Sequence, residues 1–271
     1  ELSFSSHMRV TSQNKAEYVG IPAFVSRVFR HSAFYIRTDR GITKPEDLRG
    51  KLVGLPEYQM TAPVWMRGIL EDEFGIKPEE IRWRSGGQEE AGRDERTPFE
   101  APPGLDLQAI PQDRTLVEMF EAGELDALMT ARAPSSFDLG KPNIDRLWPN
   151  FREVEKEYYK KTKMFPIMHL MGLRKDLHEA NPWLAGSLYK AFVQARDIAY
   201  EDLAKTAALS VALPWVDSER RDTVALMGDD FWRYGIEECR HEIEALARYS
   251  HSHGLSERLL TPEDLFAEST F

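Results

Sequence analysis

The stretch IPAFVSRVFRHSAFYI, residues Ile21 to Ile36, sets two arginines and a histidine inside an otherwise apolar run. Its composition predicts an extended segment, in which buried charge is costly unless an opposite charge neutralises it. We therefore interpret Arg27, Arg30 and His31 as an anion site. The alternative is that the two arginines pair with structural carboxylates and that His31 is an ordinary core histidine.

The composition limits which anions such a site could serve. The chain has 271 residues, 42% of them hydrophobic, and a formal net charge of -10. The field of that charge repels polyanions, so we expect neither a nucleic acid nor a membrane as a partner. A small anion held in a local basic pocket remains compatible with this charge.

Cysteine content and hydropathy exclude further classes. Cys239 is the single cysteine, which leaves no internal disulfide and no cysteine-based zinc or iron–sulfur framework, and we predict no metal site. No apolar run approaches the roughly 20 residues that span a bilayer, so we expect a soluble chain. The pattern of residues Glu1 to Ser6 predicts the end of a strand that runs into a loop. The sequence has neither an initiator methionine nor a signal-peptide pattern at its start, and we infer that preceding sequence is missing.

Downstream of Ile36, strand and helix patterns alternate. The pattern predicts strands over 51–55, 81–85 and 125–130, and helices over 62–74 and from the capping box at 115–118. Gly75 is expected to end the first of these helices, and a long Gly-, Pro- and charge-rich connection covers 86–111. This order predicts an α/β lobe.

The second half of the chain returns to extended and helical patterns. Residues 165–173 are expected to be extended, and 182–203 to form a helix with one core-facing apolar stripe. Trp215, Trp232 and Tyr249 are expected core anchors. We predict two lobes, one built from 1–38 plus 160–271 and the other from 39–159, joined by crossings near 31–37 and 165–173. Ligands favour such clefts.

Six short motifs, in order along the chain, resemble the 4,5-dihydroxyphthalate decarboxylase family. The resemblance extends from about Ile21 to Phe266. The motifs are Arg27-Val28-Phe29-Arg30-His31-Ser32, Pro56-Glu57-Tyr58-Gln59-Met60-Thr61, Gly86-Gly87-Gln88-Glu89, Gly92-Arg93, Arg132-Ala133-Pro134-Ser135 and Phe165-Pro166-Ile167-Met168-His169.

The resemblance implies a fold, a reaction and a cellular location. The fold is α/β, two-lobed and like that of type II periplasmic solute-binding proteins, although relatives carry a further strand–helix–strand before the counterpart of Glu1. The implied reaction is the cytoplasmic decarboxylation of 4,5-dihydroxyphthalate to protocatechuate. The implied partner is a small aromatic dicarboxylate and no organic cofactor is expected, while homo-oligomerisation is left open.

Carboxylate binding needs paired hydrogen-bond donors, which guanidinium groups supply. We select Arg27, Arg30 and Arg132 as anchors. Further substrate-binding candidates lie at the predicted N-terminus of the 62–74 helix and in neighbouring loops: Tyr58, Gln59, Thr61, Ser135 and Ser6. An ordinary helix cap is the alternative role for Thr61.

Decarboxylation also needs a proton donor at the ring carbon. The para phenol can push electrons into the ring, so that this carbon accepts a proton before carbon dioxide leaves. His31 and His169 lie on the two predicted crossings, and histidine titrates near neutral pH. Glu57 is a third candidate, as a base or as a partner that orients a histidine.

A non-catalytic role competes with this interpretation. The same two-lobed fold could belong to a periplasmic solute-binding protein that captures a carboxylate for an ABC-type importer. Fold alone does not separate the two, because function depends on the residues of the site.

Overall fold

Two β-sheets organise the chain in a computed structural model, which describes residues 1–95 and 100–271. The small sheet has the strand order β1-β9-β2, and the large sheet has the order β6-β5-β4-β7-β3-β8. The strands are β1 (Leu2–Ser3), β2 (Tyr18–Arg27), β3 (Phe34–Arg37), β4 (Leu52–Leu55), β5 (Arg82–Ser85), β6 (Leu107–Ala109), β7 (Ala127–Met129), β8 (Ile144–Arg146) and β9 (Ile167–Arg174).

Helices flank both sheets. They are α1 (Phe4–Ser12), α2 (Thr61–Phe74), α3 (Leu116–Glu121), α4 (Ser135–Asp138), α5 (Phe151–Thr162), α6 (Lys175–Ala180), α7 (Leu184–Ala204), α8 (Val216–Met227), α9 (Arg240–Ser252) and α10 (Pro262–Leu265). Among the described residues, no helix combines the length and apolar character needed to span a bilayer.

The chain crosses between the sheets twice. It leaves the small sheet after β2, enters the large sheet at β3, and returns through α5 to β9. In the large sheet β6, β5, β4 and β7 run parallel, whereas β3 is antiparallel to both β7 and β8. The predicted fold class, α/β with two linked units, is confirmed. The lobe boundaries at 38/39 and 159/160 stay a prediction.

Two local predictions near the N-terminus are wrong. The segment Ile21–Ile36 is not continuously extended, because β2 ends at Arg27 and a 3-10 turn covers His31–Ala33 before β3 begins. Residues after Ser3, expected to form a loop, instead form α1. This helix buries Phe4 and Met8, four residues apart, in the core.

The expected aromatic anchors have three different outcomes. Tyr249 is buried, Trp232 is half-buried and donates from Nε1 to the Phe24 carbonyl at 2.8 Å, and Trp215 is 75% exposed. The prediction for Trp215 is therefore wrong. Leu184 and Leu188 of α7 do pack against the core, but only partly buried, so the helix lies at its edge.

Helices α2 and α9 join the two units. One continuous apolar core includes residues of both sheets, such as Val53 of β4 and Leu170 of β9, together with Leu246 of α9. At the closest approach, Gly68 of α2 faces the ring of Tyr249. A glycine is required here because any side chain would occupy the space that the ring fills.

Replacing Gly68 by alanine should destabilise the fold. The added Cβ would lie 2.3 Å from Tyr249 Cε2, and such overpacking costs roughly 1–3 kcal/mol. The sign of the change in the free energy of unfolding is informative, because Gly→Ala within a helix otherwise stabilises a protein by about 1 kcal/mol. Urea unfolding measures the effect, and Tyr249→Leu should reduce it in a double-mutant cycle. Unchanged or increased stability of Gly68→Ala would contradict this account of the contact.

Candidate active site

The N-termini of α1 and α2 meet at a cluster of hydroxyl groups, which we call the cradle and define as Ser3, Ser5, Ser6 and Thr61. Ser3 Oγ lies 2.9 Å from Thr61 Oγ1, and the Ser5 backbone N–H donates to Thr61 Oγ1 at 3.1 Å. Ser6 Oγ donates to Ser3 Oγ at 3.1 Å. Two helix N-termini at one place concentrate positive dipole ends.

Thr61 does not have the ordinary capping role. Met60 occupies the N-cap position of α2, and neither that residue nor Ser3, the N-cap of α1, makes a side-chain capping bond. Thr61 Oγ1 satisfies one first-turn N–H of α1, that of Ser5, and the remaining first-turn N–H groups of the two helices favour an anion. Ser5 Oγ is buried and has no hydrogen-bond partner among the described residues. The cradle can therefore bind a negatively charged oxygen.

His169 lies beside the cradle. In the small sheet its backbone pairs with Ser3 of β1 on one side and with Ser26 of β2 on the other. Its Nδ1 contacts the Glu1 carboxylate, and its side chain is 40% exposed. The structure thus brings His169, Ser6 and Thr61 into one region, through Ser3.

Arg30 is a buried guanidinium without a carboxylate partner among the described residues. Its Nε donates to Met168 Sδ at 3.2 Å. Met168 precedes His169 in β9, where successive side chains point to opposite faces of the sheet. Burial lowers the pKa of Arg30 to about 10, while the charge of Glu155 acts in the opposite direction. A charge left unpaired in a low dielectric is costly, so Arg30 is poised to gain from an incoming anion.

Arg27 has the structural role that the sequence left open. Its guanidinium donates to the carbonyls of Phe165 and Arg233, each at 2.7 Å, and contacts the buried Glu242 carboxylate at 3.4 Å. Cys239 Sγ accepts a further bond at 2.9 Å. These contacts occupy the guanidinium, and we assign Arg27 to the fold rather than to the substrate.

His31 lies at the opposite end of α2 from the cradle. Its ring packs between Trp148 and Tyr158, with centroids 5.2 and 5.1 Å away. It lines a cavity of about 320 Å³ together with Glu73 and Phe74, the last residues of α2. Since α2 has 14 residues, about 20 Å separate this end from Thr61.

The cavity and the cradle are therefore different places. Three glutamates line the cavity, Glu73, Glu153 and Glu157, against one lysine, Lys161. An aromatic dicarboxylate would be repelled by that rim. We locate the candidate site at the cradle, where hydrogen-bond donors converge instead.

The segment before α2 is buried and serves mainly to position its neighbours. The Glu57 carboxylate accepts from Arg93 Nε at 3.0 Å. The Tyr58 ring lies under the Arg67 guanidinium at 3.6 Å, and Gln59 Oε1 accepts from Arg9 at 2.9 Å. These contacts place Tyr58 in the core and Gln59 between α1 and α2, so neither lies open to a substrate.

The loops after β5 and β7 meet each other. Ser135 donates from its backbone and hydroxyl to Glu89, at 2.9 and 2.7 Å, and Gln88 Nε2 donates to the Arg132 carbonyl at 3.2 Å. The Arg132 side chain is exposed. No hydrogen bond or ion pair between described residues connects Arg132 or Ser135 to the cradle.

Sequence reasoning did not select Ser3 or Glu1. Ser3 immediately precedes an unrecognised helix, and the signal that could have found it is the Ser-x-Ser-Ser run at a strand end. Glu1 becomes visible only through the pairing of β1 with β9. Within 1–95 and 100–271, no group of three or more histidine, cysteine or acidic side chains has the arrangement of a metal site.

Two curated proteins are similar in sequence. The 4,5-dihydroxyphthalate decarboxylase of Comamonas testosteroni is 43% identical over 266 residues, which cover 98% of this chain and 81% of that protein. The 4,5-dihydroxyphthalate decarboxylase of Pseudomonas putida is 41% identical over 160 residues, which cover 59% of this chain and 62% of that protein. No protein-family model matches.

Solved structures with low sequence identity are also similar. The periplasmic aliphatic sulphonate-binding protein SsuA of Escherichia coli has a TM-score of 0.47 at 12% identity, covering 99% of this chain and 79% of that one. The alkanesulfonate-binding protein SsuA of Xanthomonas axonopodis pv. citri has a TM-score of 0.48 at 11% identity, covering 99% and 78%.

The burial of His31 should make stability depend on pH. Burial lowers the pKa of His31 from 6.5 to about 4 in the folded protein. Between these two pH values, His31 therefore binds a proton more readily in the unfolded chain than in the folded one. The free energy of unfolding should fall between pH 6.5 and 4, by up to about 3 kcal/mol for this group. Denaturant unfolding at pH 7 and 5 should show a smaller fall for His31→Phe than for wild type.

Exposed His251 supplies the control for this measurement. The variant His251→Gln should retain the wild-type pH dependence. Some fall will persist in His31→Phe, because burial also lowers the pKa of His253 to about 4. Equal falls in His31→Phe and wild type would show that His31 titrates normally in the fold.

Proposed function

Because the chain belongs to the 4,5-dihydroxyphthalate decarboxylase family, we propose that it converts 4,5-dihydroxyphthalate to protocatechuate and carbon dioxide in the cytoplasm. The proposed substrate carries two adjacent carboxylates, each para to one of two adjacent hydroxyls. The two carboxylates are related by symmetry, so either can be the one retained. A site for this molecule needs an anion anchor and a proton donor.

The burial of the Arg30 guanidinium without a carboxylate partner among the described residues is the observation that supports the proposal most strongly. A buried guanidinium without an ion-pair partner among the described residues fits a ligand carboxylate, which it can bind through two parallel hydrogen bonds. Arg27, by contrast, already has Glu242. We propose that Arg30 anchors the retained carboxylate.

The cradle supplies a second place for negative charge. Half-buried Ser3 and Ser6 open toward solvent, while Thr61 and Ser5 lie beneath them. Hydroxyl donors and helix N-termini stabilise oxygen anions. We propose that the cradle binds an oxygen of the substrate that bears charge during the reaction, either a carboxylate or a phenolate.

His169 is the proton donor that the contacts favour. It is near the cradle and in contact with solvent, whereas His31 is buried with its pKa lowered to about 4 and lies at the other end of α2. Glu57 is held by Arg93. Of the three candidates, only His169 combines access to solvent with a place beside the cradle.

The proposed reaction consumes one proton per turnover, because the carboxylate that leaves as carbon dioxide is replaced by a hydrogen. His169 adds a proton to the carbon that bears the leaving carboxylate, while the para hydroxyl releases its proton to water and the electron pair left on its oxygen forms a dienone. The carbon–carboxylate bond then breaks and carbon dioxide departs. The electron pair of that bond restores the aromatic ring as a phenolate, which takes a proton back from water. Water returns a proton to His169. No organic cofactor takes part in this route.

Incubation with carboxyl-labelled 4,5-dihydroxyphthalate tests the function. We expect labelled carbon dioxide and equimolar protocatechuate, and in heavy water one deuterium at the carbon that lost its carboxylate. Phthalate is the matched control, since without hydroxyls it lacks the electron push and should remain intact. Saturable binding without carbon dioxide release would instead favour a solute-binding protein, and no binding at all would overturn both assignments.

Replacing Arg30 should weaken the binding of a carboxylate ligand without preventing the protein from folding. Arg30→Met should weaken binding of phthalate by about 2–5 kcal/mol, the usual result of removing one partner of a buried charge pair. Arg30→Lys should recover little of it because the planar fork is lost. Calorimetric titration with phthalate measures both variants.

Arg27→Met provides the contrast. It should lower the free energy of unfolding by about 3–5 kcal/mol, because Glu242 is left buried with reduced compensation, while folded protein keeps wild-type affinity for phthalate. Wild-type affinity in Arg30→Met, with the fold confirmed by thermal melting, would remove Arg30 from the proposed site.

A further inference from the structure

The pairing of β1 with β9 sets Glu1 beside His169. Ser3 is directly opposite His169 in the antiparallel register. Glu1 stands two residues before Ser3, immediately before β1, and its side chain reaches His169. The Glu1 carboxylate accepts from His169 Nδ1, and the two side chains are 54% and 40% exposed.

We infer that Glu1 is a positioning residue for His169 in the proposed reaction, an inference that rests on the proposed function and deepens it. A carboxylate that accepts from Nδ1 fixes the neutral imidazole as the Nδ1–H tautomer, and it fixes the rotation of the ring. Nε2 is then the nitrogen that faces away from Glu1. In the protonated ring Nδ1–H stays with Glu1, and Nε2–H is the proton available to the substrate carbon.

His169 needs such a partner because little else holds its ring. The strands on both sides fix its backbone through the pairs with Ser3 and Ser26, but Glu1 is its sole side-chain hydrogen-bond or ion-pair partner among the described residues. Without the carboxylate the exposed ring could rotate and exchange tautomers in water. A donor out of line with the ring carbon transfers its proton slowly.

A second histidine–carboxylate pair shows what a structural pair looks like in this chain. His253 Nε2 lies 3.1 Å from Glu71 Oε2 and joins α9 to α2. His253 is buried, and burial lowers its pKa to about 4. The Glu1–His169 pair has the opposite properties, since it is half-exposed and borders the cradle. Solvent can therefore return the proton that each turnover removes.

Kinetics of five variants, including a reference and a control, test the inference. Glu1→Gln should lower kcat at least about tenfold, with KM within about twofold, because alignment rather than binding is lost. Glu1→Asp should recover most of kcat. The double variant Glu1→Gln/His169→Gln should be no slower than His169→Gln alone, since both changes act on one proton transfer. Exposed Glu17→Gln is the matched control and should keep wild-type kcat.

A spectroscopic readout reports the positioning without turnover. Nitrogen-15 NMR, with the signal assigned by its loss in His169→Gln, should show the Nδ1–H tautomer in wild type and a shift toward Nε2–H in Glu1→Gln. Wild-type kcat and an unchanged tautomer in Glu1→Gln, with wild-type enzyme active, would overturn the inference alone. Absence of carbon dioxide release by wild type would overturn the proposed function and this inference together.

Discussion

The buried ion pair between Arg27 and Glu242 holds together the parts of the chain on which the site depends. Arg27 ends β2, at the first crossing between the sheets, and Glu242 lies in the first turn of α9. The same guanidinium binds the Phe165 carbonyl, just before β9. One side chain therefore joins both crossings to the C-terminal helices. Loss of either partner would leave a charge buried and destabilise the region where Arg30 and His169 lie.

Helix α2 separates the surroundings of His31 from those of His169. Its N-terminus forms half of the cradle, and its last turn lines the cavity with the three glutamates. The helix packs closely against α9, where Gly68 faces the Tyr249 ring. This packing fixes α2, so the cradle and the cavity stay at a constant distance from each other. His31 and His169 lie on the two crossings predicted from the sequence, yet they lie near opposite ends of this helix and differ in solvent access and surrounding charge.

Local patterns predicted the regular elements better than the roles of charged residues. Helix α2 was evident because Gly75 ends an apolar segment, and the 3.6-residue spacing of α7 is visible directly. The roles of Arg27 and Arg30 were not separable by sequence, because the carboxylate that distinguishes them, Glu242, is 215 residues from Arg27. Trp215 was misplaced for a related reason, since hydrophobicity alone does not show which surface an aromatic ring meets.

The contact between Glu1 and His169 lies beside the pairing of β1 with β9. Leu2 and Ser3 of β1 pair with Leu170 and His169 of β9, and β2 pairs with the other side of β9. Local separation of β1 from β9 would disengage the proposed proton donor from its carboxylate while β2 and β9 stayed paired. In the proposed reaction, activity would then depend on a local opening equilibrium as well as on global stability.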